Sequence, residues 1–405
     1  MKKRVIDIFA AYKFDSNYYG KGDLEKAVRE AVRNAQAGLK QKFKGLTLRL
    51  IEQKEISSGE YVGEFVKGNL GKAIITIFEL SDREPNVTFE LGYSLGRAKS
   101  RFTMEDGYDI IIQSGNVSHR DVISDLLGKF IVSYEYNPHI RQKGEYKKIR
   151  RKIEFELKRK ISNLLGDNRF LKRLIWQMYE EKVYVICPYI PSADQTKYGV
   201  RSSLSEYGDF NTVYDICTFL KGTLLCDAEY FHSQQAKSIR DLFENHVILV
   251  GGPMWNEYVT KVSKDYSLPY QYEWSPKEDI EDYILNNITL EEYHASKIRK
   301  NGGEIITKDY GIFAVLPNKF NEDKAVILID GISSLGGLGA ARAFTEGAVS
   351  YENCKLLAKT VGFENGFVTL VESDIRWSEF PYPKKIEKSK IFAYRQEKDS
   401  WKAIA

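Results

Sequence analysis

The first 140 residues alternate short apolar runs with stretches of helical spacing, and that alternation leaves few folds open. Residues 5–10 are an apolar run suited to a buried strand. Residues 23–39 place Leu24, Ala27, Val28, Ala31 and Val32 on one helical face, with Asp23 as the expected N-cap. Residues 46–51 alternate again, 61–70 have helical spacing, and 73–78 are almost wholly β-branched or aromatic. A helix over 89–97 and strands over 109–113 and 130–136 complete the pattern. Strands separated by helices pair in parallel through right-handed crossovers, so a layered α/β domain of about five strands is expected.

A chain of 405 residues is too long for one ordinary domain. From Lys182 a second α/β pattern begins, with buried-strand runs over 183–187, 246–250 and 325–329, then 367–371 and 391–394. Two of these runs lead straight into glycine turns, Gly251-Gly252-Pro253 and the stretch from Gly331 to Gly339. Between the two patterns, residues 141–160 hold ten Lys or Arg against three Glu, with Ile149, Ile153, Leu157 and Ile161 four apart. That spacing reads as a solvated helix whose apolar stripe packs on a domain; a basic arm for a partner or nucleic acid is the alternative. The expected organisation is a domain over 1–140, a helical connector over 141–180 and a second domain over 181–405, each an α/β layer with a mainly parallel sheet.

Composition narrows the class. With 43% hydrophobic and 13% aromatic residues the chain has ample core material, which excludes general disorder. Sixty basic against 56 acidic residues leave +4, no footprint for nucleic acid or a membrane surface. Cys187, Cys217, Cys226 and Cys354 lack CxxC spacing and the five histidines are scattered, so neither a metal site nor a disulfide framework is signalled. Asp7 interrupts the apolar run near the start, unlike a signal peptide, and no run of about 18 apolar residues spans a membrane. A soluble, reduced, cytoplasmic protein is expected.

The chemistry concentrates in Phe78 to Arg97, FELSDREPNVTFELGYSLGR. A buried strand ends at Phe78, a polar turn carries Glu79, Ser81, Asp82 and Asn86, and a helix is expected to open with Glu90 in its first turn. In open α/β sheets ligands bind outside the carboxyl ends of strands, where this turn must lie. A carboxylate in a first turn is favoured in its ionised form by the helix dipole, which suits a nucleophile or a cation stabiliser. Gly92 would admit a ligand or a neighbouring backbone. Helix capping and a packing glycine are the structural alternative.

The string PNVTFELGYSLG resembles the motif of the nucleoside 2-deoxyribosyltransferase-like and bacterial TIR-like domains. The likeness extends over about residues 4–136 and includes IFAAYKF after the first strand, EISSGEYV and the closing FIVSYEY. It implies a flavodoxin-like, TIR-like fold, with Glu90 facing the anomeric carbon of a nucleoside or NAD ribose. The chain departs from the pattern at Glu79-Leu80-Ser81, where such families often have Asp-Leu-Ser. Phe9, Tyr12, Phe14 and Asp15 would stack on a base and hold a ribose hydroxyl, and Ser57, Ser58 and Gly59 would close the other wall. Cleavage of an N-glycosidic bond develops an oxocarbenium-like cation that a fixed carboxylate can stabilise or attack. Nicotinamide leaves neutral and needs no acid, whereas a purine or pyrimidine needs a proton donor.

In the second domain Gly336, Gly337 and Gly339 stand at an expected helix start, where free amides can hold an anion, and Gly251, Gly252, Asp209 and Asn256 are candidates beside the other turn. The pattern weakly resembles Rossmann-like modules. Together these readings imply a regulated NAD hydrolase with Glu90 as its catalytic carboxylate and NAD as substrate rather than a bound cofactor. They also imply a nucleotide effector on the second domain, assembly into a homo-oligomer and a role in prokaryotic antiviral defence. A nucleoside or nucleotide N-glycosidase or deoxyribosyltransferase is one alternative; a non-catalytic nucleotide-binding and assembly module is another.

Overall fold

The computed structural model describes residues 4–13, 16, 22–40, 46–52, 70, 73–82, 84–101, 109–114, 131–134, 145–189, 202–237, 241–273, 282–300, 303–362, 366–376 and 380–404. The chain forms two compact units that divide between Asp167 and Asn168.

The first unit is built on a five-stranded parallel sheet of order β2-β1-β3-β4-β5. Its strands are β1 (Arg4–Ala11), β2 (Leu46–Glu52), β3 (Ile75–Glu79), β4 (Asp109–Ser114) and β5 (Ile131–Tyr134). Strands covered on both faces need continuous apolar runs, and Ile6, Ile8, Ile75 and Phe78 are fully buried accordingly. Helix α1 (Asp23–Lys40) turns Leu24, Ala27, Val28, Ala31 and Ala35 inward. The Gly22 carbonyl accepts from the Lys26 amide at 2.9 Å, so Asp23 is the first helical residue rather than the cap. Helix α2 (Pro85–Arg101) follows β3, and α3 (Glu145–Gly166) completes the unit.

The stretch read as a connector is divided. Helix α3 belongs to the first unit, where it packs along α1 with Ile149, Ile153, Leu157, Ile161 and Leu164 at most 1% exposed. Asn34 Nδ2 donates to Glu154 at 3.0 Å and Arg150 pairs with Glu30 at 3.2 Å. Helix α4 (Asn168–Trp176) instead opens the second unit, where the indole of Trp176 donates to the Phe344 carbonyl at 3.2 Å.

The second unit centres on a ten-stranded sheet. One half is parallel, β14 (Ala325–Gly331), β8 (His246–Val250), β6 (Lys182–Cys187) and β7 (Asp227–His232), side by side in that order. Beyond β14 every pairing is antiparallel. That half holds β12 (Ser296–Lys300), β13 (Gly303–Pro317), β15 (Gly366–Arg376), β16 (Phe380–Pro383), β17 (Ile391–Arg395) and β18 (Ser400–Ala403). The expected mainly parallel sheet is therefore a mixed one, because β13 runs antiparallel to both of its neighbours, β14 and β15. A separate antiparallel sheet joins β9 (Tyr270–Glu273), β10 (Tyr283–Asn286) and β11 (Glu291–His294). Helices α5 (Ser202–Thr223), α6 (Ser233–Ala236), α7 (Glu257–Asp265), α8 (Ser334–Thr345) and α9 (Gly347–Thr360) connect the strands. Both units are α/β, and among the described residues no helix is long and apolar enough to cross a membrane.

Candidate functional site

In the first sheet the chain leaves β1 toward β2 on one side and β3 on the other, which puts the topological switch point between β1 and β3. The last residues of β2, β3, β4 and β5 are Glu52, Glu79, Ser114 and Tyr134, so four of the five strands end in a polar side chain at the carboxyl edge, while β1 ends in Ala11.

Glu79 is the centre of a buried network. Its Oε1 accepts from the Ser81 amide at 3.0 Å, from the Ser81 hydroxyl and from the Tyr134 hydroxyl at 3.0 Å. Ser81 Oγ in turn accepts from the Ser114 amide at 2.7 Å, tying β3, β4 and β5 together. The other carboxyl oxygen, Oε2, is buried and has no hydrogen-bond partner among the described residues. Burial pushes the Glu79 carboxyl up to about 7; the Ser81 and Tyr134 hydrogen bonds oppose this, and nearby Asp82 adds to it.

Helix α2 begins earlier than expected, at Pro85, whose fixed φ and missing N–H suit the first helical position. The Glu84 carbonyl accepts from the Thr88 amide at 3.0 Å. Glu90 therefore lies beyond the first turn. It is 1% exposed between buried Val87 and Leu91, and burial raises its carboxyl to about 7. The expectation of an ionised form favoured by the dipole is corrected: the dipole acts within the first turn, and desolvation prevails here.

The remaining candidates separate by environment. Asp82 lies beside the switch point, with Oδ1 3.8 Å from Lys13 Nζ. Asn86 is exposed on the first turn of α2. Tyr12 is buried and donates to Glu52 at 3.0 Å, and Arg29 holds the other Glu52 oxygen at 2.8 Å. Its hydroxyl is thus committed to the end of β2. Phe9, read as a stacking surface, is a core residue instead, fully buried with Phe78, Leu80, Leu91 and Ile111. Gly92 is exposed, and among the described residues a Cβ there would meet nothing within 4 Å. Phe14, Asp15, Ser57, Ser58 and Gly59 lie outside the described residues. Sequence reasoning missed Ser114 and Tyr134 as site residues; their one signal was position, at the carboxyl ends of expected strands.

In the second unit the glycines at the start of α8 have a structural role. A Cβ on Gly336 would collide with the Tyr310 carbonyl and one on Gly339 with Ser373; Gly337 is buried as well. The anion position at this helix start is filled from within. Buried Asp309 accepts from the Ser333 hydroxyl, from the Tyr310 amide at 2.8 Å and from the Ser333 and Gly336 amides. The expected effector phosphate at Gly336, Gly337 and Gly339 is corrected accordingly. Asn256 is fully buried, donating to Ile186 and Val250 carbonyls at 3.2 and 3.0 Å and capping α7, which makes it a clamp between β6 and β8. Gly251 has φ +86°, and a Cβ there would collide with Pro188. Gly252 adjoins the carboxyl of Asp330, and Asp209 stands near the same group.

Among the described residues no group of three or more His, Cys, Asp or Glu is arranged to hold a metal ion. Comparison with protein-family models and with curated proteins finds no match for this chain.

Proposed function

We propose that the first unit cleaves the N-glycosidic bond of a nucleotide, with NAD as the favoured substrate and nicotinamide and ADP-ribose as products. The observation that carries this reading is the pair of desolvated carboxyls, Glu79 at the tip of β3 and Glu90 on the helix that follows, beside the switch point of a parallel sheet. As the C1′–N bond breaks, its electron pair goes to the nicotinamide nitrogen and the sugar becomes cationic. The carboxylate form of Glu90 stabilises that cation, water adds at C1′, and its proton passes to a carboxylate or to solvent.

One observation favours a second reading, release of a purine or pyrimidine from a nucleoside or nucleotide. The Oε1 of Glu79 is occupied by donors, so a proton held with a pKa of about 7 belongs on Oε2. A carboxyl in that state can protonate a departing base. Incubating the full chain with NAD and with nucleosides and separating the products decides between the two. Nicotinamide supports the first reading and free nucleobase the second. Neither product, from folded protein across a concentration series, would reject an N-glycosidase. The second unit fits a restraint on this activity, with assembly or an effector as its release, and a defence role in a prokaryote rests on the resemblance of the first unit.

A further inference from the structure

The parallel half of the second sheet has its own switch point. From β6 the chain reaches β7 on one side and β8, then β14, on the other, so a crevice is expected outside the carboxyl ends of β6 and β8. Three features meet there. Asp330, near the end of β14, is 3% exposed; its Oδ1 accepts from the Gly331 amide at 2.7 Å, and Oδ2 makes no hydrogen bond or ion pair among the described residues. Asp209, on α5, has no hydrogen bond or ion pair among the described residues either, and lies within electrostatic reach of Asp330. At the end of β8, a Cβ on Gly252 would stand 3.4 Å from Asp330 Oδ1, so a larger side chain at 252 would crowd that carboxyl.

Two aromatic residues follow the carboxyl ends of β6 and β8. Tyr189, two residues beyond β6, is 41% exposed, and its amide donates to the Trp255 carbonyl at 3.1 Å. Trp255 is half-buried in the turn after β8. Two close acids repel a phosphate, while an adjacent pair of sugar hydroxyls supplies the donors that such carboxyls lack. Exposed rings supply a face for a base.

We infer that this edge is a ribonucleoside site in which Asp330 and Asp209 accept the sugar hydroxyls and Tyr189 and Trp255 flank the base. Burial pushes both carboxyls up to about 7, which agrees with a pair awaiting donors from a ligand. The site is separate from the N-glycosidic centre and does not depend on how that centre is read.

Calorimetric titration of the full chain with adenosine, guanosine, cytidine and uridine tests it, followed by the 2′-deoxy form of any that binds and by spermidine. One ribonucleoside should bind, its deoxy form about tenfold or more weakly, since a hydrogen bond to an ionised group is lost. Asp330→Asn and Gly252→Leu should each weaken binding at least as much, with circular dichroism unchanged in the Asn variant. The heat should persist in Glu90→Gln, which alters only the first unit. The proposal is overturned if no ribonucleoside binds, if deoxy and ribo forms bind alike, if spermidine alone binds, or if binding survives Asp330→Asn. Product release reports on the first unit and binding heat on the second, so either reading can fail without the other.

Discussion

The hydroxyl of Tyr134, at the end of β5, donates to Glu79 Oε1 at 3.0 Å across 55 positions of sequence. This contact reaches over β4 and helps hold a desolvated carboxyl still at the edge of the sheet. The same bond favours the ionised form of Glu79 against the burial that disfavours it. Tyr134→Phe removes that support while keeping the ring. The Glu79 carboxyl should then move further above 7, and the limb of the pH–rate profile that belongs to it should shift to higher pH. The stability cost should be about 1 kcal/mol, the worth of one buried hydrogen bond. Profiles and urea melts of both proteins measure this; an unmoved limb would dissociate Glu79 from the reaction.

Glu90→Gln tests the other carboxyl. The amide is nearly isosteric, so folding should survive, and removal of a buried acid whose charged form is disfavoured should if anything stabilise the unit above pH 7. Loss of the charge that meets the developing cation should lower turnover by roughly two or more orders of magnitude. Turnover and a melting curve on the same preparation are the measurement. Full activity in a folded variant would remove Glu90 from the mechanism.

Buried parallel strands were the most legible part of the chain, because a strand covered on both faces must be continuously apolar. The run 246–250 coincides with β8, and β1 and β3 differ from expectation by a residue or two. Strand β13 was not foreseen. Its first half is polar, and Gly311 reads as a breaker although α8 packs so closely there that a Cβ would strike the Gly336 carbonyl. At the site, Glu79 and Glu90 were legible from the turn after a buried strand. The start of α2 was not, since Pro85-Asn86 reads as a turn until Pro is placed at the first helical position. The link from Tyr134 to Glu79 depends on strand order, which local pattern does not encode.

The cluster of His246, Glu181 and Lys324 in the second unit should act as an acid-sensitive lock. His246 is fully buried; its Nδ1 accepts from the Ala325 amide at 3.0 Å and its Nε2 contacts Glu181 at 3.1 Å, while Lys324 pairs with the same carboxylate. Burial pushes the Glu181 carboxyl up, but the His246 and Lys324 hydrogen bonds and charges prevail and hold it at about 2. A depressed carboxyl contributes stability above its unfolded value, near 4.3, and loses it as pH falls toward 2. Urea melts should therefore show the second unit weakening between about pH 4.5 and 2. Glu181→Gln should flatten that dependence and lower stability at pH 7; an unchanged slope would show that the lock does not act.

The division at Asp167 predicts which fragment can stand alone. Ile149, Ile153, Leu157 and Ile161 of α3 are at most 1% exposed against the first unit. Fully burying one such side chain is worth about 1.5–3 kcal/mol. Four together approach roughly 6–12 kcal/mol, comparable with the 5–15 kcal/mol of net stability typical of a whole domain. A fragment ending at residue 140 lacks the helix and leaves the matching face of α1 open to water, so it should be unfolded or aggregated. A fragment ending at 167 keeps the stripe and should melt cooperatively. Far-UV circular dichroism and sizing of both fragments measure the difference, and any comparison of isolated and full-length activity should use the longer one. A cooperative, monomeric 1–140 fragment would show that α3 contributes little to the first unit.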